Sequence, residues 1–316
     1  MREYALSYYK DFHCIASKCK HTCCDCGWET QIDEKTLSFY MSQKGEWEDR
    51  FKKSIAYING KPCLLQHDKI CPFFNKQGLC DIILNFGEEA LCDVCKTHPR
   101  FNNYFSNRVD VGIGLCCEEA ARLLLSQEKP IKEVEISFDG KKGRLIRKDK
   151  QRLLIKEYVL SLVQDRQFSI NERIEKICLN LDIELNMPSL LEIYNKMNTL
   201  EILDNKWKDY LNYIKDLTWE EILEDNSIEI YLENLLTYFI YRHLVNGEDD
   251  NEMISLIKFS IMSTYIIKAI ILGLKKVQKI DFELIVDIAR MYSSEIEYSD
   301  FNIVELISFF NAKSDE

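Results

Sequence analysis

From about residue 149 to the end of the chain, apolar side chains return every three or four positions. The stretches "DKQRLLIKEYVLSLVQD", "SINERIEKICLNL", "IEIYLENLLTYFIYRHLV", "EMISLIKFSIMSTYIIKAIILGLKKV" and "DFELIVDIARMYSSEIE" all carry this pattern, the period of helices that bury one face. The shorter runs "PSLLEIYNKMN", "TWEEILED" and "NIVELISFFNAK" extend the series. Ser169 and Thr218 stand where N-caps are needed, and Pro188 stands at a helix start. Upstream, "IDEKTLSFYMSQ" and "WEDRFKKSIAYI" predict short helices, whereas Gly and Pro break "NGKPCLLQHDKICPFFNKQGLC" into loops. "EEALCDVCKTHPRF" starts helically and must stop before Pro99. "CCEEAARLLLSQ" predicts a helix from near Cys117, with Glu118 and Glu119 in the first turn, where the helix dipole favours acid. Between 131 and 147 the pattern turns to alternation, and Asp139-Gly140 predicts a small β-hairpin there. The fold class is mainly α, with short helices and loops over residues 1–126 and a helical domain over 127–316.

Composition adds a second division. With 5 Pro and 11 Gly in 316 residues, and 46% hydrophobic residues, the chain suits a helical core rather than a sandwich or barrel. Residues 1–126 carry 16 Lys and Arg against 17 Asp and Glu, and the remainder carries 25 against 35. An acidic surface argues against nucleic acid as a partner, because phosphate neutralisation needs a basic patch. It suits a basic substrate such as a lysine side chain, although charged faces of solvated helices explain much of the imbalance. The run "MISLIKFSIMSTYIIKAIILGL" contains Lys258 and Lys268, which are costly at a bilayer centre, so it is expected to be a buried helix rather than a membrane span. "MREYALSYYKDF" has no apolar run followed by a small-residue cleavage site, so a cytoplasmic location is expected.

Twelve of the 13 cysteines lie between Cys14 and Cys117, and Cys178 stands apart. In a reducing compartment such density points to metal or redox chemistry rather than disulfides. Soft thiolates select zinc, copper(I) or iron–sulfur clusters, and twelve exceed the four ligands that one site needs. Cys92-x-x-Cys95 followed by His98 has zinc-like spacing. The adjacent pairs Cys23-Cys24 and Cys116-Cys117 leave open which member would be a ligand and which a packed thiol. Cys19, Cys23 and Cys26 spell the CxxxCxxC of a radical S-adenosylmethionine (SAM) enzyme. That loop belongs in a barrel of alternating strands and helices, whereas cysteine loops and then helices succeed it here. "GIGLCC" at 112 lacks the third glycine of a dinucleotide fingerprint.

These residues carry a resemblance. Cys14-x4-Cys19-x3-Cys23-Cys24, then Gly27-Trp28, "CPFF" from Cys71, "GLC" from Gly78, "GEEALCDVCKTHPRF" from Gly87 and "CCEEAARLLL" from Cys116 together resemble the flagellin lysine-N-methylase family. "YLENLLTYFIYRHL" and "ARMYSSEIEYS" extend the likeness more weakly. The resemblance implies a zinc- or iron-chelating N-terminal region whose ligands fall on Cys14, Cys19, Cys23, Cys24, Cys71, Cys80, Cys95 and Cys117. Cys26, Cys63, Cys92 and Cys116 fall outside that pattern, and one extra residue before Gly27 creates the radical spelling. The cofactors implied are SAM and an iron–sulfur cluster of the 4Fe-4S type, with zinc as the alternative metal. Trp28, Arg100, Glu118 and Arg122 are implied as motif members.

The implied activity is methylation of lysine ε-amines on flagellin, with no nucleic acid and no membrane involved. Candidate catalytic residues are Glu233 and Tyr238, and candidate cofactor-binding residues are Arg100, Glu118, Asn234 and Arg242. Asn234, Tyr238 and Arg242 recur at a spacing of four, which places them on one helix face. Arg290, Glu295 and Glu297 form a further polar group. A radical SAM enzyme and a non-catalytic metal- or cluster-binding module are the alternative readings.

Overall fold

The structure is a computed structural model that describes residues 1–25, 27, 30–140 and 143–312. The strands in chain order are β1 (Arg2–Leu6), β2 (Thr30–Gln31), β3 (Ile55–Ile58), β4 (Lys61–Leu64), β5 (Arg100–Tyr104), β6 (Arg108–Ile113) and β7 (Glu133–Phe138). The helices are α1 (Glu34–Ser42), α2 (Glu46–Ser54), α3 (Asp81–Phe86), α4 (Asp93–Thr97), α5 (Glu118–Leu125), α6 (Arg147–Val163), α7 (Ile170–Asn180), α8 (Leu190–Met197), α9 (Asn205–Leu211), α10 (Trp219–Glu224), α11 (Glu229–His243), α12 (Asp250–Lys275), α13 (Phe282–Tyr292) and α14 (Asp300–Asn311). The fold is mainly helical. Cys26 and Trp28 lie outside the described residues.

Two compact units form, one of Met1–Phe12, Asn102–Cys116 and Ala120–Glu316, the other of His13–Phe101 and Cys117–Glu119. This division differs from a cut near residue 126 because the N-terminal strand pairs far along the chain. β1 runs parallel to β6, Arg2 opposite Arg108, and antiparallel to β7, Leu6 opposite Glu133, in a sheet of order β5-β6-β1-β7. The alternation over 131–147 is therefore half right. Its first part is β7, but the partner is β1 rather than a second arm after Gly140, and α6 begins at Arg147. Lys141 and Lys142 lie outside the described residues. Asp110 and Lys156 are fully buried behind this sheet, with Glu133 and Arg108 completing a four-charge set.

The helices of the larger unit are capped as their sequences require. Ser169, Ser189 and Thr218 each accept a hydrogen bond from the third helical residue while Glu172, Glu192 and Glu221 reach back, three reciprocal capping boxes. α12 is long and apolar enough to cross a membrane by length and composition, yet it is buried within the unit and packs on α11, α13 and α14. Gly273 lets the carbonyl of Tyr213 approach α12, where a Cβ would collide with it.

In the smaller unit β3 and β4 form a hairpin whose turn is Asn59-Gly60, both with positive φ, the signature of a type I′ turn. Sequence periodicity carries the preceding helix through Ile58, but α2 stops at Ser54 and the β-branched Ile55 and Ile58 go into the strand. The core is aromatic. Tyr40 stacks on Phe51 at 4.2 Å, and Trp47 meets Phe86 edge-on at 4.8 Å. Cys92 is buried in this cluster, and Cys71 and Cys80 pack against it.

Candidate functional site

In the smaller unit, loops bring distant thiols together. Cys71 N–H donates to the Cys24 carbonyl at 2.8 Å, which ties the first cysteine loop to the second. Cys80 and Cys92 are the N-cap residues of α3 and α4, and Cys95 lies in α4. Cys71 feels the charge of Cys24, Cys80 and Cys92, Cys80 that of Cys24, and Cys95 that of Cys92, Cys71 and Cys24. Thiol donation from Cys23 to Cys24, and from Cys95 to Cys92, draws the two acceptors down to about 7 against the cost of burial. Burial pushes Cys71 up to about 12 and raises Cys80, even though the N–H groups of Phe73, Ile82 and Ile83 point at those sulfurs. Such N–H donors stabilise thiolates. Burial alone lowers His98 to about 4, so its imidazole is neutral at physiological pH.

A second focus holds Cys19 and Cys117. Burial, with Glu118 and Cys117 adding to it, pushes the Cys19 thiol up to about 12. Oε2 of Glu118 accepts the N–H groups of Lys20 at 2.9 Å and His21 at 3.1 Å, and the Cys19 thiol at 3.7 Å. Glu118 thus clamps the first cysteine loop. Cys14 is exposed and takes Ala16 N–H at 3.4 Å. Arg100 is exposed at the start of β5, and Arg122 lies in α5.

Soft sulfur donors with N–H groups aimed at them fit a thiophilic metal. Among the described residues no set of three or more His, Cys, Asp or Glu side chains is already closed around a point. Of the eight expected ligands, Cys23, Cys24, Cys71, Cys80 and Cys95 belong to the first focus and Cys19 and Cys117 to the second. Cys92, omitted by the family pattern, sits in the first focus, and its CxxC spacing with Cys95 was the signal for it.

The larger unit holds the four polar residues expected on α11, and it separates them into two pairs. Glu233 is buried between two guanidinium groups, Arg166 Nη2 at 2.9 Å and Arg173 Nη1 at 2.7 Å. Asn234 donates to the carbonyls of Gln127 at 2.9 Å and Leu124 at 3.2 Å, closing the end of α5. Both side chains brace the fold.

Tyr238 and Arg242 enter a different network. Arg242 Nη1 donates to the Tyr238 hydroxyl at 2.6 Å, and that hydroxyl accepts Leu115 N–H at 3.2 Å and donates to Glu297 Oε2 at 3.0 Å. His243 Nε2 lies 2.6 Å from Glu297 Oε1, and Arg242 Nε lies 3.4 Å from the same oxygen. Tyr298 completes the set through a hydrogen bond with Cys116 and a cation–π contact with Arg242 at 4.9 Å. Glu297 ends a π-helical turn, Ser293–Glu297, that comes directly after α13, and such turns recur at functional sites. Burial raises Glu297, but Arg242 and the His243 hydrogen bond outweigh it and hold the carboxylate below its ordinary value. Burial lowers His243, so the imidazole is neutral and donates from Nε2. Burial raises Tyr238 well above 10, which makes it an orienting donor rather than a base. His243 and Tyr298 are not legible in the sequence, since neither continues the spacing of four. Glu295 accepts the N–H groups of Leu203 and Asp204 at 2.8 Å, and Arg290 pairs with Asp287.

Gly114 is where the sheet strand β6 meets this network. A Cβ there would be driven into the Tyr298 hydroxyl and would lie 2.8 Å from Arg242 Nη1. Both are side-chain ends, so Gly114→Ala is expected to fold with the network displaced, losing about 1–3 kcal/mol as overpacked sites do. Urea unfolding of the variant, with an unchanged m value, checks it.

A family model described as the FliB lysine N-methylase C-terminal domain matches residues 113–316. The chain is 26% identical over 131 residues to the flagellar biosynthetic protein FliU of Salmonella muenchen, covering 38% of this chain and 75% of the relative. It is 25% identical over 131 residues to the lysine-N-methylase of Salmonella choleraesuis, covering 38% of this chain and 31% of that protein. The lysine-N-methylase of Salmonella typhimurium is 26% identical over 126 residues, with 36% of this chain and 30% of the relative covered. Those alignments therefore span less than a third of either methylase. No solved structure matches the chain.

Proposed function

The chain belongs to the FliB lysine N-methylase family, and on that premise we propose that it methylates lysine ε-amines of a flagellar protein, flagellin in the first instance, with SAM as donor. The match over residues 113–316 carries the proposal, because that span holds the whole of the Tyr238–Arg242–His243–Glu297–Tyr298 network. A lysine amine of pKa about 10.4 must lose its proton before it can attack a methyl carbon. Burial beside a fixed cation favours the neutral amine, and Arg242 and Tyr298 form the less buried edge of the network where such a group would enter.

In this reading Arg242 holds the carboxylate of the donor, a bidentate contact for which a guanidinium is suited. Tyr238 and Glu297 fix the plane of that guanidinium. The Glu297–His243 pair is the proton acceptor within reach, and alignment of amine and methyl carbon supplies most of the remaining acceleration. SAM supplies an activated methyl group on a sulfonium. Cys24, Cys71, Cys80, Cys92 and Cys95 would hold an iron–sulfur cluster, or zinc in its place, with a scaffolding role.

Anaerobic purification followed by metal and sulfide analysis, then incubation with SAM and flagellin, tests this. Methyl-lysine without 5′-deoxyadenosine is the expected product. Release of 5′-deoxyadenosine would overturn the reading in favour of radical chemistry, and the absence of any SAM affinity would leave a cluster-binding module. Cys71→Ser and Cys95→Ser are expected to lose metal and folded protein together, since ligand-set binding energy is folding energy. Cys178→Ser is expected to lose neither.

A further inference from the structure

A cleft of about 550 Å³ opens on the larger unit between the end of α5 and the start of α11. Its walls include Gln127, Glu128, Ser227, Glu229, Tyr231 and Phe282, and its lining contains two carboxylates and no lysine or arginine. The rings of Tyr231 and Phe282 stand 6.0 Å apart at 42°, which presents two aromatic surfaces to whatever enters. The size falls in the range of ligand clefts.

The walls are held by residues that the sequence suggested for catalysis and cofactor binding. Asn234 fixes the Gln127 carbonyl at 2.9 Å, and Arg166, itself held by Glu233, donates to the Glu128 carbonyl at 2.7 Å. Glu229 is anchored through one oxygen, which takes Ile170 N–H at 3.1 Å. The cation that senses Glu229 from behind is Lys268 of α12, fully buried and without a hydrogen-bond partner among the described residues. Burial lowers its pKa, against the pull of Asp225 and Glu229.

We propose that this cleft is a docking subsite for a lysine side chain of the protein substrate. The apolar stem lies across Tyr231 and Phe282, and the ammonium turns to Glu128 and Glu229, a pairing of apolar packing and ionic attraction. Tyr231 and Tyr238 are seven residues apart on α11, about 10 Å along its axis. A lysine in the cleft is therefore a different one from the lysine at the Arg242 edge, and the subsite selects segments that carry more than one. This rests on the methyltransferase reading for the identity of the substrate, but its test does not need turnover.

The test is the binding of a flagellin-derived peptide with two lysines to the full chain, by calorimetry without SAM, beside the same peptide with one lysine or both replaced by norleucine. Glu128→Gln with Glu229→Gln is the informative variant. Glutamine keeps an oxygen for Ile170 N–H, and Glu128 is exposed, so the fold is retained, as a melting curve confirms. The expected result is a dissociation constant raised about tenfold by the variant or by a norleucine, with no further loss when both are combined. An unchanged constant in the variant overturns the proposal. So does weakened SAM binding with peptide binding intact, which would make the cleft a donor site. If peptide binding behaves as expected and no methylation occurs, the function fails while the subsite stands.

Discussion

Glu297→Ala is expected to destabilise the larger unit by about 3–5 kcal/mol, the loss incurred when one partner of a buried charged pair is removed. Glu297 accepts from Tyr238 and His243 and faces Arg242, with its own side chain fully buried. Alanine would leave a guanidinium that is only 12% exposed without its counter-charge. Glu297→Gln keeps the shape and one acceptor but also removes the counter-charge of Arg242, so it is expected to lose less stability than alanine, while methyl transfer in the folded fraction falls by roughly two orders of magnitude, the weight of a general base. The same pair sets a pH dependence. Glu297 and His243 both have folded pKa values below their ordinary 4.5 and 6.5. Groups with depressed values stabilise above the unfolded value and lose that stability as pH falls. Unfolding free energy should therefore decline below pH 6.5 as unfolded histidine takes up protons, and decline further below 4.5. A urea series from about pH 8 to about pH 4 that stays flat would refute the assignment of these two groups.

What the chain revealed in advance was mostly local. The periodicity of α11 and α12, and the caps at Ser169 and Thr218, are written within a few residues, and each formed as read. Non-local pairing was not legible. β1 finds β6 and β7 more than a hundred residues away, and nothing in "REYAL" announces that. Asn59-Gly60 was the stronger hairpin signal, yet a helical start in "WEDRF" masked the strand beyond it. In the site, the spacing of four on α11 brings Tyr238 onto Arg242, because neighbours on a helix face meet. The same spacing also drew in Asn234, whose partners lie elsewhere, since the surroundings of that face change along the helix from α5 to the π-helical turn. Glu297 could be named from its sequence, but its partner His243 could not, because the contact crosses 54 residues.

The second large effect is expected at Glu233, and it distinguishes a brace from a base. Glu233→Ala leaves Arg173, 4% exposed, and the nearby Arg166 without a shared carboxylate, and a loss of about 3–5 kcal/mol is expected by the same reasoning. Arg173 also donates to the carbonyls of Val163 and Phe168, so the freed guanidinium cannot swing out to water without breaking the turn between α6 and α7. Replacing both partners by apolar residues, Glu233→Met with Arg173→Met, removes the uncompensated charge and should recover much of the stability. A double-mutant cycle would then show a coupling well above about 1 kcal/mol. In the single variant the folded fraction should bind substrate more weakly before it turns over more slowly, because Arg166 no longer fixes the Glu128 carbonyl at the cleft. Were Glu233 the proton acceptor, Glu233→Gln would instead abolish methyl transfer at nearly unchanged stability, and kcat rather than KM would carry the loss.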